Sequence, residues 1–157
     1  MYEIMANQYG IKWNNRKYNP SDWEQSDTIN KALSAATACL YGICEAAILA
    51  AGYAPAIGFI HTGKPQSFVY DIADIFKFET VIPIAFKETA KESTPIERAV
   101  RQGCRDSFRN NNLLKKIIPT IEEILDAGGI EKPAPHSEAV PIAIEEKKGY
   151  ENAGHCS

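Results

Sequence analysis

The chain has 157 residues, of which 45% are hydrophobic and 24% charged, and a formal net charge of −3. That is enough for one globular domain to bury a core, and the acidic balance excludes nucleic-acid binding through overall charge, so an anionic partner needs a local basic patch. No run of 18 or more apolar residues occurs, and Glu3 interrupts any basic-then-apolar leader, which predicts a cytoplasmic protein without a membrane span.

In chain order, "YEIMANQYG" reads as the end of a helix. Residues 13–23, "WNNRKYNPSDW", mix three aromatics with turn formers and predict a surface loop pinned by its rings. Residues 27–51 place Ile29, Leu33, Ala36, Leu40, Ile43, Ala47 and Ala51 at a 3.6-residue period, with Asp27 or Ser26 to cap the start and Gly52 the end. This is the expected core helix. The Gly- and Pro-rich segment from Gly52 to Pro65 predicts a loop with an apolar patch. A helix is expected from Ser67, as N-cap, through Phe76, and another over 79–91 with Pro83 in its first turn. Thr94, Pro95 and Glu97 have the spacing of a capping box for a helix reaching about residue 109. The last helix, Asn112–Ala127, ends at Gly128 and Gly129, and Pro119 must kink it or delay its start. Residues 131–157, with three prolines and five glutamates, predict a disordered tail. The fold class is therefore all-α, a single helical-bundle domain over residues 1–130 with a flexible, Pro-containing tail at 131–157. Cys39, Cys44, Cys104 and Cys156 lack CxxC spacing, so the first three are expected as reduced, buried residues.

Asp71 and Asp74 stand three residues apart, which on a helix puts both carboxylates on one face. Like charges held together repel unless a proton or a cation lies between them. Magnesium takes oxygen donors and manganese also accepts imidazole, so His61, at the edge of the preceding loop, can complete a hard-metal site. A metal there suits phosphodiester chemistry. The plainer alternative is a solvated aspartate pair and a packed or hydrogen-bonded histidine. Phe68, Val69, Ile72, Ile75 and Phe76 flank the aspartates and predict a largely buried helix, in which carboxylates need partners.

Arg98, Arg101, Arg105 and Arg109 step by three, four and four, which keeps them on one side of a helix, and Lys115 and Lys116 follow. Arginines in line can contact successive phosphates; the alternative is a charged outer face. Tyr18, Tyr41 and Tyr70 can stack on frayed bases or fill core, with core the expectation for Tyr41.

The run "CLYGICEAAILAAGYAPAIGFIHTGKPQSFVYDIADIFKFETVIPIAF", with "DTIN" before it and "CRDSFR" after it, resembles the C-terminal domain of the CRISPR adaptation integrase of the type I-E subfamily. The match extends from "QYGIKWNNRKYNPSDWE" to "AGGIEKPAP". The resemblance implies an all-helical domain of a metal-dependent DNA endonuclease and strand-transfer enzyme, which inserts short foreign DNA into a CRISPR array by attack of a DNA 3′-hydroxyl. It implies Mg2+ or Mn2+ held by a glutamate, a histidine and an aspartate. The histidine corresponds to His61 and the aspartate to Asp74, with Asp71 as an accessory catalytic carboxylate. Lys64, Lys77, Arg98, Arg101 and Arg105 fall on its DNA-contacting surface, Arg109 continues the same stripe, and Tyr18 and Tyr41 lie near the DNA end. The implied partners are double-stranded and branched DNA, a second copy and a small adaptation protein. The family's glutamate ligand lies upstream of "YEIMANQYG", and its N-terminal β-rich domain is absent from these residues. The alternative function is a catalytically incomplete DNA-binding or assembly fragment.

Overall fold

The computed structural model describes residues 1–16 and 26–130. Six helices and no strand occur among them: α1 (Tyr2–Tyr9), α2 (Thr28–Ala50), α3 (Ser67–Thr80), α4 (Ile82–Ala90), α5 (Ile96–Asn110) and α6 (Leu113–Ala127). The all-α expectation is met. Tyr18 and the expected tail lie outside the described residues.

The 23-residue α2 is the axis on which α3, α4, α5 and α6 pack. Asp27 starts it, its carboxylate accepting the Asn30 N–H at 2.9 Å. Ala32, Ala36 and Ala47 are buried on α2 beside Leu33, Leu40 and Ile48, and small residues at such contacts let neighbouring helix axes approach closely. Among the described residues α2 is the one helix long and apolar enough to cross a membrane. Its buried side, with Leu33, Leu40 and Ile48, packs against the other helices. Leu33, Leu40, Ile48, Ile72, Ile82 and Phe86 are fully buried, each worth roughly 1.5–3 kcal/mol of transfer free energy.

The boundaries differ from expectation in instructive places. Ser67 is the first residue of α3 rather than its cap, and its hydroxyl closes the preceding turn instead, accepting the Lys64 N–H at 3.1 Å and donating to the Lys64 carbonyl at 2.9 Å. α3 runs a turn past Phe76, to Thr80, whose hydroxyl returns to the Phe76 carbonyl at 2.7 Å. α4 starts at Ile82 with Pro83 in its first turn, where no N–H is needed. The capping box does not form: Pro95, in extended conformation, precedes α5, and no side chain caps it. Thr94 therefore sits one residue too early. Pro119 stands inside α6 on an exposed face, where water can serve the Lys115 carbonyl that the ring leaves without an N–H.

Two parts of this bundle position chemistry. The α2–α3 loop, residues 51–66, doubles back over α3, with the Phe68 N–H donating to the Pro55 carbonyl at 2.8 Å. The chain before α2 is docked by Arg16, which donates to Asn30 Oδ1 at 2.9 Å and to Ser34 Oγ at 3.0 Å.

Candidate active site

His61 lies at the end of the α2–α3 loop, and Asp71 one turn into α3 holds it there. The Asp71 carboxylate accepts the backbone N–H groups of Phe59 at 2.6 Å, Ile60 at 3.1 Å and His61 at 2.9 Å. It also meets His61 Nδ1 at 2.6 Å, with its side chain only 2% exposed. Burial works to raise the Asp71 pKa, but the backbone and ring hydrogen bonds from His61, then those from Ile60 and Phe59, outweigh it and hold the carboxyl below its ordinary value. An ionised carboxylate accepts only, so Nδ1 carries the proton and the lone pair sits on Nε2. That nitrogen faces Asp74 Oδ2 at 4.0 Å.

The two aspartates thus reach one imidazole from opposite sides. Sequence spacing placed both carboxylates at one spot; the structure gives them different work. Asp71 is buried and committed to the loop, whereas the Asp74 side chain is half exposed and shares Oδ1 with Lys77 Nζ at 3.4 Å. Ile75, expected among the buried flanking residues, is 49% exposed beside Asp74, while Phe68, Val69, Ile72 and Phe76 form the buried side of α3. The helix is buried on one face and open on the other, which is what leaves Asp74 available.

Gly58 makes the tight loop possible. A Cβ there would overlap the His61 carbonyl oxygen and lie 2.7 Å from Asp71 Oδ2 and 2.8 Å from the Ser67 carbonyl carbon. Two of those atoms are backbone, so no rotamer change relieves the clash. Gly58→Ala is expected to cost about 1–3 kcal/mol and to lower the thermal midpoint; an unchanged melting curve would show that the loop can yield.

Beside His61 opens a cleft of about 450 Å³, whose lining includes Arg16, Tyr41, Lys64, Gln66 and Tyr70. Tyr41 and Tyr70 meet with ring centroids 4.9 Å apart, the Tyr70 ring lies 5.6 Å from that of His61, and Lys64 Nζ stands 5.7 Å from the Tyr70 centroid. Tyr41, expected in the core, is half-buried in this wall. Desolvation, with Asp74 and Tyr70 adding to it, pushes its hydroxyl up to about 12. It stays a neutral donor. Arg16 and Gln66 carry no sequence signal for this cleft; Gln66 Nε2 donates to Glu45 Oε2 at 3.1 Å and Tyr70 donates to Gln66 Oε1 at 3.3 Å. Arg16 belongs to an aperiodic segment, and no spacing rule flags such a residue.

Arg98, Arg101, Arg105 and Arg109 all lie exposed along one side of α5. Only Arg105 has a carboxylate partner among the described residues, its neighbour Asp106 at 3.0 Å. The stripe is not part of the cleft lining. It flanks α2 on the side of Cys39, while Tyr41 faces the cleft, and between the two run Ala38, Gly42 and Ala46, all exposed and small. A larger groove of about 730 Å³ between α4 and α5 lies on the side away from the arginines and mixes Lys87 and Lys91 with Glu88 and Asp106. It has no histidine and no single sign of charge.

The family model for "CRISPR associated protein Cas1" matches residues 1–122. A protein of Geobacter sulfurreducens, named CRISPR-associated endonuclease Cas1, is 61% identical over 155 residues, covering 99% of this chain and 51% of that protein. A protein of the same name from Escherichia coli is 58% identical over 156 residues, with 99% and 51% covered. The crystal structure of a TtCas1-DNA complex superposes with a TM-score of 0.74 at 40% identity, covering 80% of this chain and 46% of that one. This chain spans about half the length of the relatives it matches. With the family model covering most of the sequence and the helical architecture shared, the chain belongs to the Cas1 family of CRISPR-associated proteins.

Proposed function

We propose that residues 1–130 are the catalytic helical unit of a metal-dependent DNA endonuclease and strand-transfer enzyme acting in the cytoplasm on duplex and branched DNA. The observation that carries this reading is the divided use of His61: Nδ1 is fixed by buried Asp71, and Nε2 is turned toward half-exposed Asp74. A histidine oriented through its far nitrogen by a carboxylate is the arrangement a metal ligand uses. The relatives' name, endonuclease, and the DNA bound in the related crystal structure point the same way.

The residues fit a hard divalent ion, Mg2+ or Mn2+, with His61 and Asp74 as its ligands here. His61 Nε2 and Asp74 Oδ2 face each other across 4.0 Å, close enough that a small side-chain adjustment would let both reach one divalent ion. When bound, such an ion supplies charge stabilisation at the phosphate oxygens and orients the attacking 3′-hydroxyl. Lys77, whose Nζ lies 3.4 Å from Asp74 Oδ1, would be placed to meet a DNA phosphate beside the ion. Tyr41 and Tyr70 offer faces for a terminal base, and exposed Lys64 meets the adjacent phosphate. The small-residue ridge of α2 leaves room for a duplex between the cleft and the arginines. The homodimer and the small adaptation partner implied by the resemblance would be served by the rest of a longer protein.

A second reading, a DNA-binding or assembly unit without catalysis, is favoured by one fact. Among the described residues no group of three or more His, Cys, Asp or Glu side chains converges on one point, so remaining ligands must come from DNA, water or a glutamate elsewhere. Incubating the chain, shown helical by circular dichroism, with branched duplex and Mg2+ or Mn2+ separates the readings. Nicks and strand transfer abolished by EDTA are expected; DNA binding without nicking in either ion supports the second reading, and no DNA binding rejects both. In the same assay, replacing one of Arg98, Arg101 or Arg109 by Ala is expected to reduce the slope of log affinity against log salt by about 1. An unchanged slope would remove that arginine from the DNA surface.

A further inference from the structure

Two rungs join α2 to α3 beside His61, one turn apart on each helix. The first is aromatic, Tyr41 against Tyr70, with ring centroids 4.9 Å apart. The second is polar: Gln66 Nε2 donates to Glu45 Oε2 at 3.1 Å. The Tyr70 hydroxyl links the two by donating to Gln66 Oε1 at 3.3 Å. Gln66 stands at the N-cap of α3, yet its side chain makes no capping bond; both ends of its amide are committed to Glu45 and Tyr70 instead. Glu45 is half-buried and stands outside the lining of the cleft that Gln66 and Tyr70 share. Its one hydrogen bond among the described residues goes to Gln66.

The direction of these bonds follows from the groups themselves. A carboxylate oxygen only accepts, so Glu45 takes the NH₂ end of the Gln66 amide and turns the carbonyl oxygen to Tyr70. That oxygen also only accepts, so the phenol must donate to it. Reversing the amide would set its oxygen against the carboxylate with no proton between them. Tyr70 is therefore held by a directed bond as well as by packing, in a place where its ring has consequences. The His61 imidazole meets that ring at 5.6 Å with 72° between the planes, and Lys64 Nζ lies 5.7 Å from its centroid.

We propose that Glu45 and Gln66 are positioning residues that hold the Tyr70 ring beside His61 as a stacking face for the terminal base of a DNA strand, an inference that rests on the endonuclease reading of this site. A base seated on that ring sets where its 3′-hydroxyl lies relative to His61 and Asp74, so a loosened phenol costs placement of the attacking group.

The test has one arm without DNA and one with it, both on the full chain with its helicity checked by circular dichroism. In the free protein the Tyr70 ring current shifts the His61 ring protons. Gln66→Leu and Glu45→Ala are expected to move those resonances, while Glu45→Gln, which keeps an acceptor oxygen for the Gln66 amide, is expected to leave them in place. The second arm uses a duplex with 2-aminopurine as an unpaired 3′-terminal base, whose fluorescence is expected to be quenched when the parent binds it. Gln66→Leu and Tyr70→Phe, which keeps the ring and loses only the hydroxyl, are expected to weaken that quench alike and no further when combined. One such hydrogen bond favours the held ring over the released one by about twofold to tenfold. The proposal is overturned if Gln66→Leu or Glu45→Ala leaves the His61 resonances unmoved, or if Tyr70→Phe quenches like the parent, because packing alone then sets the ring. DNA binding by the parent without any quench rejects the stacking role alone; no DNA binding rejects the endonuclease reading and the stacking role with it.

Discussion

Asp74→Ala is expected to abolish metal-dependent nicking and strand transfer, by about 10³-fold or more, while leaving the bundle folded. The magnitude follows from charge: removing one of the two proposed ligands would forfeit several kcal/mol of transition-state stabilisation, and about 4 kcal/mol is a thousandfold. The fold is spared because the Asp74 side chain is half exposed and its partner is an i,i+3 lysine, a pair worth at most about 0.5 kcal/mol. The matching binding readout is Mn2+ broadening of the His61 ring resonances, which the variant should lose. Activity within tenfold of the parent, or undiminished broadening, would take Asp74 out of the metal site. His61→Ala should lose nicking and strand transfer likewise, since His61 is the other proposed ligand.

Asp71→Asn is expected to fail through structure instead. The carboxylate presents two acceptor oxygens to four donors, and the amide keeps only one. Whichever way it flips, an NH₂ group is aimed at one or two N–H donors in a nearly dry site. Charged hydrogen bonds of this kind are worth about 1.5–3 kcal/mol each and a buried unpaired donor costs about 1–3 kcal/mol. Partial rehydration of the loop offsets some of this, so a net loss of about 2–4 kcal/mol is expected, or roughly 8–15 °C in thermal midpoint. Amide exchange should speed up at Phe59, Ile60 and His61 before the rest of the bundle. Activity would fall too, because His61 loses the partner that fixes its tautomer. If Asp71 were merely a second metal ligand, the variant would lose metal binding at an unchanged midpoint and unchanged loop exchange. That outcome would overturn its role as a positioning residue.

The sequence by itself determined most of the helices and, for α2, which side faces inward. Leu33, Ala36, Leu40 and Ala47 at helical spacing are enough to bury one face of α2, because apolar periodicity acts within a single element. The same local logic put Arg98, Arg101, Arg105 and Arg109 on one exposed side of α5 and named His61, Asp71 and Asp74 as candidates. Local signals failed where a neighbour competed for the same group. Ser67 turned its hydroxyl to Lys64, and Pro95 displaced Thr94 from the helix start. Only the tertiary structure decided how the two aspartates divide their work. Three residues of spacing is about 300° of turn, close enough for both carboxylates to reach one ring, yet it also carries Asp71 under the α2–α3 loop and leaves Asp74 at the rim. Which of them is buried depends on where the loop returns, and that return rests on contacts between residues 10–12 positions apart. The same holds for the cleft, which joins Arg16, Tyr41 and Tyr70 from three segments. Periodicity specifies a face within an element, but only packing specifies which other element that face meets.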